Sequence, residues 1–197
     1  MTSGDRTRRW RWRLRRVPAA GAAAAAALVL AGCGTAGYGA PVAPTMMTVK
    51  SEAFVSGTLS QHYTCHGAKF NPPLNWSGAP TATKSLALIV DDSSAPITPF
   101  IYWLVFDINP GSTDIQENSL PTGARQAVNS AGTSAYDAPC PGSGRHSYRF
   151  TVYALNKTLT LPNGAPLESV WRAIAAATIG RGRIVVSTNT LSVTYFP

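Results

Sequence analysis

Two separated blocks constrain this chain more than any other feature. The first is Leu86-Ala-Leu-Ile-Val-Asp-Asp-Ser-Ser-Ala-Pro96, followed by Phe100-Ile-Tyr-Trp-Leu-Val-Phe-Asp107. The second is Tyr136-Asp-Ala-Pro-Cys-Pro-Gly-Ser-Gly-Arg-His-Ser-Tyr-Arg-Phe-Thr-Val-Tyr153. Each joins a run that reads as a buried strand to a loop whose groups can hold a small polar ligand. Asp91, Asp92 and Pro96 close one strand, and His146 and Tyr148 enter the other. Ser85–Val90, Ile101–Phe106 and Tyr148–Leu155 are β-branched or aromatic runs bounded by Pro, Gly, Asn and Asp, which predicts strands. Arg149, Thr151 and Tyr153 alternate with Phe150, Val152 and Ala154, as in a strand with one face in water. Ile184–Ser187 and Leu191–Phe196 predict two more, with Thr188-Asn189-Thr190 as a hairpin turn between them. One helix is predicted from Pro166 to about Ile179. Leu167, Val170, Trp171 and Ile174 fall on one stripe, Pro166 suits its first turn and Gly180 its stop. Together these predict a mainly β domain with one or two short helices.

The ends of the chain speak of targeting. Seven arginines (Arg6, Arg8, Arg9, Arg11, Arg13, Arg15 and Arg16) precede an apolar run from Val17 to Ala31 that closes on Leu30-Ala-Gly-Cys33. A basic leader, a short apolar core and small residues at the cut describe an export signal. The run falls short of the roughly 20 residues of a spanning helix. Leu-Ala-Gly-Cys has the form of a bacterial lipobox, in which the signal is removed and the cysteine carries a diacylglyceryl group. Residues 1–32 are thus expected to be a signal peptide and Cys33 the lipidation site. Residues 33–47 read as a flexible tether, rich in Gly and Pro, with a reach on the order of 20 Å. Thr7-Arg8-Arg9 invites a twin-arginine reading, but the Trp-Arg-Trp-Arg that follows fits the general secretory route better. The expected location is the extracytoplasmic face of the cell membrane, held by the lipid.

That expectation removes the apparent meaning of the basic composition. The chain has 17 Lys and Arg against 9 Asp and Glu, but seven arginines and one acid lie in the signal, leaving ten against eight. Nucleic-acid binding needs a clustered basic face, and nothing after Cys33 is expected to supply one. Residues 48–197 suffice for one domain with a core. In an oxidising compartment Cys65 and Cys140 are either a disulfide or two buried thiols, and both remain open. Cys65-His66 with His62 nearby is no closed ligand set, so no metal is expected. No dinucleotide fingerprint or phosphate-cradling glycine loop appears, so no cofactor is expected either.

The two blocks resemble the phosphatidylethanolamine-binding protein family, in its bacterial branch similar to Raf kinase inhibitor protein. The family pattern runs Asp-Pro-Asp-Ala-Pro, then aromatic-x-His-Trp, then Gly-Pro-x-Pro and Gly-x-His-Arg-Tyr. Tyr63-Thr-Cys-His-Gly67, Pro72-Pro-Leu-Asn-Trp-Ser77 and Thr83-Lys-Ser-Leu-Ala-Leu88 fit the same branch. The resemblance implies a large antiparallel sheet packed on a smaller one, with an anion-binding pocket at one end. Carried over, the pocket residues are Asp92, Pro96, Tyr102, Pro139, His146 and Tyr148, with Pro141 beside Pro139. Two departures matter. Tyr102 stands where the family has a histidine, and Ser94 replaces the second aspartate. A phenol donates a hydrogen bond but brings no positive charge, so Tyr102 either retunes the pocket or fills it. Taken alone, Asp92 also suits a loop cap and His146 a structural role; His62 and His66 carry no assigned role.

Three functions follow from this reading. The leading one is a non-catalytic binding module for a small anionic or polar ligand, a lipid head group among them. The second is an inhibitor of a protein partner, such as an envelope protease. The last is a hydrolase using Asp92 and His146; it lacks a nucleophile elbow, since Gly142-Ser-Gly144 is too short for one.

Overall fold

The computed structural model describes residue 44 and residues 47–95, 98–142 and 144–190. The expected signal, Cys33, most of the tether, Pro96 and the strand expected at Leu191–Phe196 lie outside them. In chain order the elements are Thr48–Lys50 (β1), Leu74–Ser77 (β2), Ser85–Asp92 (β3), Phe100–Ile108 (β4), Asp114–Ile115 (β5), Arg125–Gln126 (β6), Gly144–Leu155 (β7), Leu167–Ala177 (α1) and Thr178–Thr190 (β8). They form a three-stranded sheet, β1-β2-β5, and a five-stranded sheet, β6-β4-β3-β7-β8. All the strand pairs are antiparallel.

The large sheet is the middle layer. On one face Leu88, Val90, Phe150 and Val152 pack against Met47, Val49, Leu74, Trp76 and Ile115, which come from or flank the small sheet. On the other, Ala87, Ile89, Leu104, Phe106 and Tyr153 pack against Val170, Trp171, Ile174 and Ala177 of α1. Every residue of β3 is therefore buried, which is why its apolar run is continuous rather than alternating. Both described cores are built from residues between Met47 and Val186, so a chain starting at Gly34 keeps them whole.

Three local expectations are corrected. The half-buried reading of Arg149–Ala154 fails because α1 covers the second face: Thr151 and Tyr153 are as buried as Phe150 and Val152. Thr188-Asn189-Thr190 is no turn. It continues β8, pairing with Gly144–His146, because β7 extends far enough to supply its ladder bonds. The helix stops at Ala177, before Gly180, and β8 begins at once. The Thr178 hydroxyl donates to the Ile174 carbonyl at 2.6 Å, satisfying one of the groups a helix end leaves open. Pro166 caps the helix rather than entering it, and its carbonyl accepts from Val170 N at 3.2 Å.

Candidate functional site

The end of β3 sends one carboxylate to each face of the large sheet, because successive strand residues alternate. Asp91, 2% exposed, goes to the helix side, where it accepts from Arg149 Nε at 2.9 Å and from Arg149 Nη2. Asp92, 4% exposed, goes to the other side. Its Oδ1 accepts from Ser94 N at 2.7 Å, and its Oδ2 meets His146 Nδ1 at 2.8 Å. One oxygen of Asp92 thus caps the loop and the other holds the histidine.

That bond sets the chemistry of the ring. An ionised carboxylate only accepts, so the proton of the His146–Asp92 bond is assigned to Nδ1, and Nε2 points away from it. The His146 side chain is 29% exposed. A neutral ring held this way offers a lone pair at Nε2, whereas the charged ring offers an N–H donor. An anion therefore requires the charged ring, with Asp92 as its counter-ion.

Tyr102 is placed by an irregularity that its sequence context does not announce. Val90 pairs with Trp103 and Asp91 with Ile101, so Tyr102 is the extra residue of a β-bulge on β4. Its freed carbonyl accepts from Asp137 N at 3.0 Å and Asn129 Nδ2 at 3.2 Å. Asn129 is buried, and its amide also reaches Thr133 Oγ1 and Ala135 O, so one side chain organises the whole loop behind the bulge. Sequence reading missed Asn129; its one signal is an asparagine in a Ser-, Gly- and Thr-rich loop, where such residues bond the backbone.

The aromatic groups close the site from behind. Tyr102 meets Tyr148 edge-on at 5.7 Å, and the His146 and Tyr148 rings stack 6.0 Å apart. Tyr148 is 0% exposed, its hydroxyl and that of Thr188 both buried without a hydrogen bond of good geometry. The Tyr102 and Thr188 hydroxyls still lie near enough to perturb that phenol. Burial, then Asp92 and Asp137, pushes Tyr102 up to about 12. Burial raises Tyr148, Tyr136 and Tyr153 as well. Both phenols of the site therefore stay uncharged at neutral pH.

These raised phenols predict alkaline instability. An unfolded tyrosine ionises near pH 10, whereas a buried one keeps its proton to higher pH. The stability it contributes is full below about pH 10 and is lost as pH rises through the folded value, at about 1.4 kcal/mol per pH unit for a fully buried phenol such as Tyr148. The melting temperature should hold steady to about pH 10 and then fall steeply, with a shallower fall in Tyr148→Phe. A melting temperature unchanged well above the ordinary phenol range contradicts this.

Of the expected pocket residues, the structure brings together Asp92, Tyr102, His146 and Tyr148. Pro139 is buried, and its carbonyl accepts from Cys65 N at 2.9 Å. Cys65 and Cys140 are joined by a disulfide, which resolves the alternative left open above. His66 converges on those sulfurs, but sulfurs bonded to each other offer no thiolate to a metal. Pro141 lines a cleft of about 210 Å³ with Thr58, Gln61, Thr64, His66 and Thr188. Since Thr188 pairs with His146 across the strands, this cleft lies on the next strand from the site. A wider hollow of about 630 Å³ along Asn109–Thr122 is lined by none of these groups, Asp114 being its one charged residue. His62 Nε2 meets Glu117 Oε1 at 3.0 Å while Tyr63 donates to Oε2 at 2.9 Å, and the two hold that carboxyl below its ordinary value.

A large and a small antiparallel sheet, with an acid–imidazole pair and two phenols gathered where β3, β4 and β7 end or begin, define a two-sheet β domain with a polar cluster at one end of its large sheet. The family model for phosphatidylethanolamine-binding protein matches residues 50–189, and the chain belongs to that family. It is 41% identical over 145 residues to a UPF0098 protein of Methanothermobacter thermautotrophicus, covering 71% of this chain and 96% of that protein. It is 40% identical over 149 residues to a Mycobacterium tuberculosis protein named "Putative lipoprotein LppC", covering 74% of this chain and 73% of the relative. Among solved structures, YbcL of E. coli, described as a member of the mammalian PEBP family, superposes with a TM-score of 0.69 at 27% identity. It covers 75% of this chain and all of YbcL. The PEBP homolog CT736 of Chlamydia trachomatis gives a TM-score of 0.68 at 30% identity, with the same coverage.

Proposed function

We propose that this chain is a cell-envelope lipoprotein, lipidated at Cys33, whose domain of residues 48–197 binds a small polar or phosphate-bearing ligand without transforming it. The observation that carries the reading is the Asp92–His146 pair. It holds a partly exposed imidazole in one orientation, with its outer nitrogen left to a ligand and a buried carboxylate ready to balance its charge. Tyr102 adds an uncharged donor where the family has a second histidine, so the pocket commands one positive charge instead of two. Small, singly charged or zwitterionic groups suit it better than a bare polyanion. Binding without catalysis is favoured because both Asp92 oxygens are engaged and Ser94 Oγ accepts from Ser147 N at 3.0 Å. Support for the anchored, extracytoplasmic setting comes from Leu30-Ala-Gly-Cys33, from the name of the Mycobacterium tuberculosis relative, and from a disulfide that reducing compartments disfavour.

The test is calorimetric and thermal titration of the chain starting at Gly34 with inorganic phosphate, phosphoethanolamine and glycerophosphate. A ligand bound by the folded state alone raises the melting temperature saturably. His146→Ala should abolish that shift and the binding heat. Asp92→Asn should weaken binding about tenfold or more, the worth of a charge-assisted hydrogen bond. No shift with any ligand, or a shift that survives His146→Ala, rejects the pocket reading.

A further inference from the structure

The register of β7 and β8 gathers cations that the sequence scatters. Arg149 lies opposite Val185, Thr151 opposite Arg183, and Tyr153 opposite Arg181, with Arg145 nearer the strand's start. Directly paired residues of an antiparallel ladder project to the same side. Arg145, Arg149, Arg181 and Arg183 therefore share the helix-side face of the sheet. Among the described residues, Asp91 on this face is held by Arg149, Arg183 Nε donates to Thr151 Oγ1 at 2.8 Å, and Glu168 of α1 is paired with Arg172. In the middle of this group sits Val185, apolar and 51% exposed.

The chain also enters the domain at this place. Met47 N donates to Arg181 O at 3.1 Å, and Arg181 N donates to Pro44 O at 3.3 Å. The contact is too close for a side chain at Gly182, where a Cβ would lie 2.5 Å from the Met47 carbonyl oxygen. Pro44 and Met47 thus bond the backbone of β8 at Arg181, and the close contact at Gly182 lies on the small-sheet side of that strand. Residues 34–43 carry no charge, and their reach is on the order of 20 Å.

We infer that the helix-side face at β7 and β8, built from Arg145, Arg181, Arg183 and Val185, docks on a membrane surface rich in anionic phospholipid. Guanidinium groups pair with lipid phosphates, and an apolar residue among them suits the head-group boundary. The inference rests on the lipid-anchor reading for its setting, since a tether that joins the domain at the backbone of Arg181 keeps β8 near the bilayer at high effective concentration. It assigns the domain an orientation: the arginine face lies toward the lipid.

The experiment is co-sedimentation of the lipid-free chain starting at Gly34 with vesicles of phosphatidylglycerol and phosphatidylcholine, or of phosphatidylcholine alone. The expected result is partition onto the anionic vesicles only, weakening as salt is added. Arg145→Gln and Arg181→Gln should each lower it about fivefold, and Val185→Ser should lower it further. Arg149 is left intact because it holds Asp91. Equal partition onto both vesicle types, no change in the arginine variants, or a preference for soluble polyglutamate over vesicles overturns the proposal. Because this chain carries no lipid, the result is independent of Cys33. Labelling the full chain with palmitate, with Cys33→Ser as control, reports on the anchor separately.

Discussion

Arg149→Met is expected to destabilise the folded domain by about 3 kcal/mol at neutral pH, the lower part of the range for breaking a buried ion pair. The lower end applies because the Arg149 side chain keeps 20% of its exposure, whereas that of Asp91 keeps 3%. The loss comes from what remains. Asp91 would sit at the end of β3, between β4 and β7, with Arg183 the remaining cation that acts on it. Burial already raises Asp91 above the ordinary carboxylate range, and Arg149 opposes that rise. Without the guanidinium the rise is larger, which fixes the sign of the pH dependence. The penalty is full above the raised folded value and fades as pH falls through it toward the unfolded value. Chemical denaturation of the variant at neutral and acid pH should therefore give a smaller loss in acid. Asp91→Leu combined with Arg149→Met should recover much of the stability, since apolar replacement of a whole buried pair is often neutral. A loss that is equal at both pH values would place its origin in packing of the arginine stem instead.

The sequence makes the parts that depend on one strand or one helix legible, and hides those that depend on pairing. The apolar run at Ser85–Val90 is found as β3, and the stripe on Val170, Trp171 and Ile174 faces the core as expected. Asp92 and His146 come together because the block pattern carries them, though they are 54 residues apart. By contrast, β1, β2 and β5 are at most four residues long, too short for a periodicity to show. The bulge at Tyr102 is a property of the β3–β4 register, invisible in either strand alone. Reading Thr151 and Tyr153 as water-facing failed because alternation records which residues differ in polarity, not what lies above them. The arginine face is hidden for a related reason: Arg145 and Arg149 are separated in sequence from Arg181 and Arg183, and only the ladder unites them.

Reducing the Cys65–Cys140 disulfide, or replacing both cysteines with serine, is expected to lower stability by about 4 kcal/mol, on the chain-entropy estimate for a bridge spanning 75 residues. For a domain of this size that is a fall in melting temperature of roughly 10 °C. The closed loop contains β2 to β6, so in the unfolded state it restrains the strands that build the middle of both sheets. In the folded state the same segments are tied twice more, by Cys65 N to Pro139 O and by the Tyr136 hydroxyl to Tyr63 O at 3.1 Å. The native loop should thus keep its shape without the covalent bond, and the loss should arise mainly in the unfolded chain. Two measurements separate these contributions. Urea unfolding with and without reductant should show a lower midpoint and a steeper dependence when reduced, because the freed unfolded chain exposes more surface. Ligand titration of the double-serine variant, at a temperature where it is folded, should give nearly unchanged affinity, because Asp92 and His146 are positioned by the β3–β7 ladder. A loss of affinity without a loss of stability would reverse the assignment, making the loop around Pro139 and Pro141, and not the strand ladder, the element that shapes the pocket.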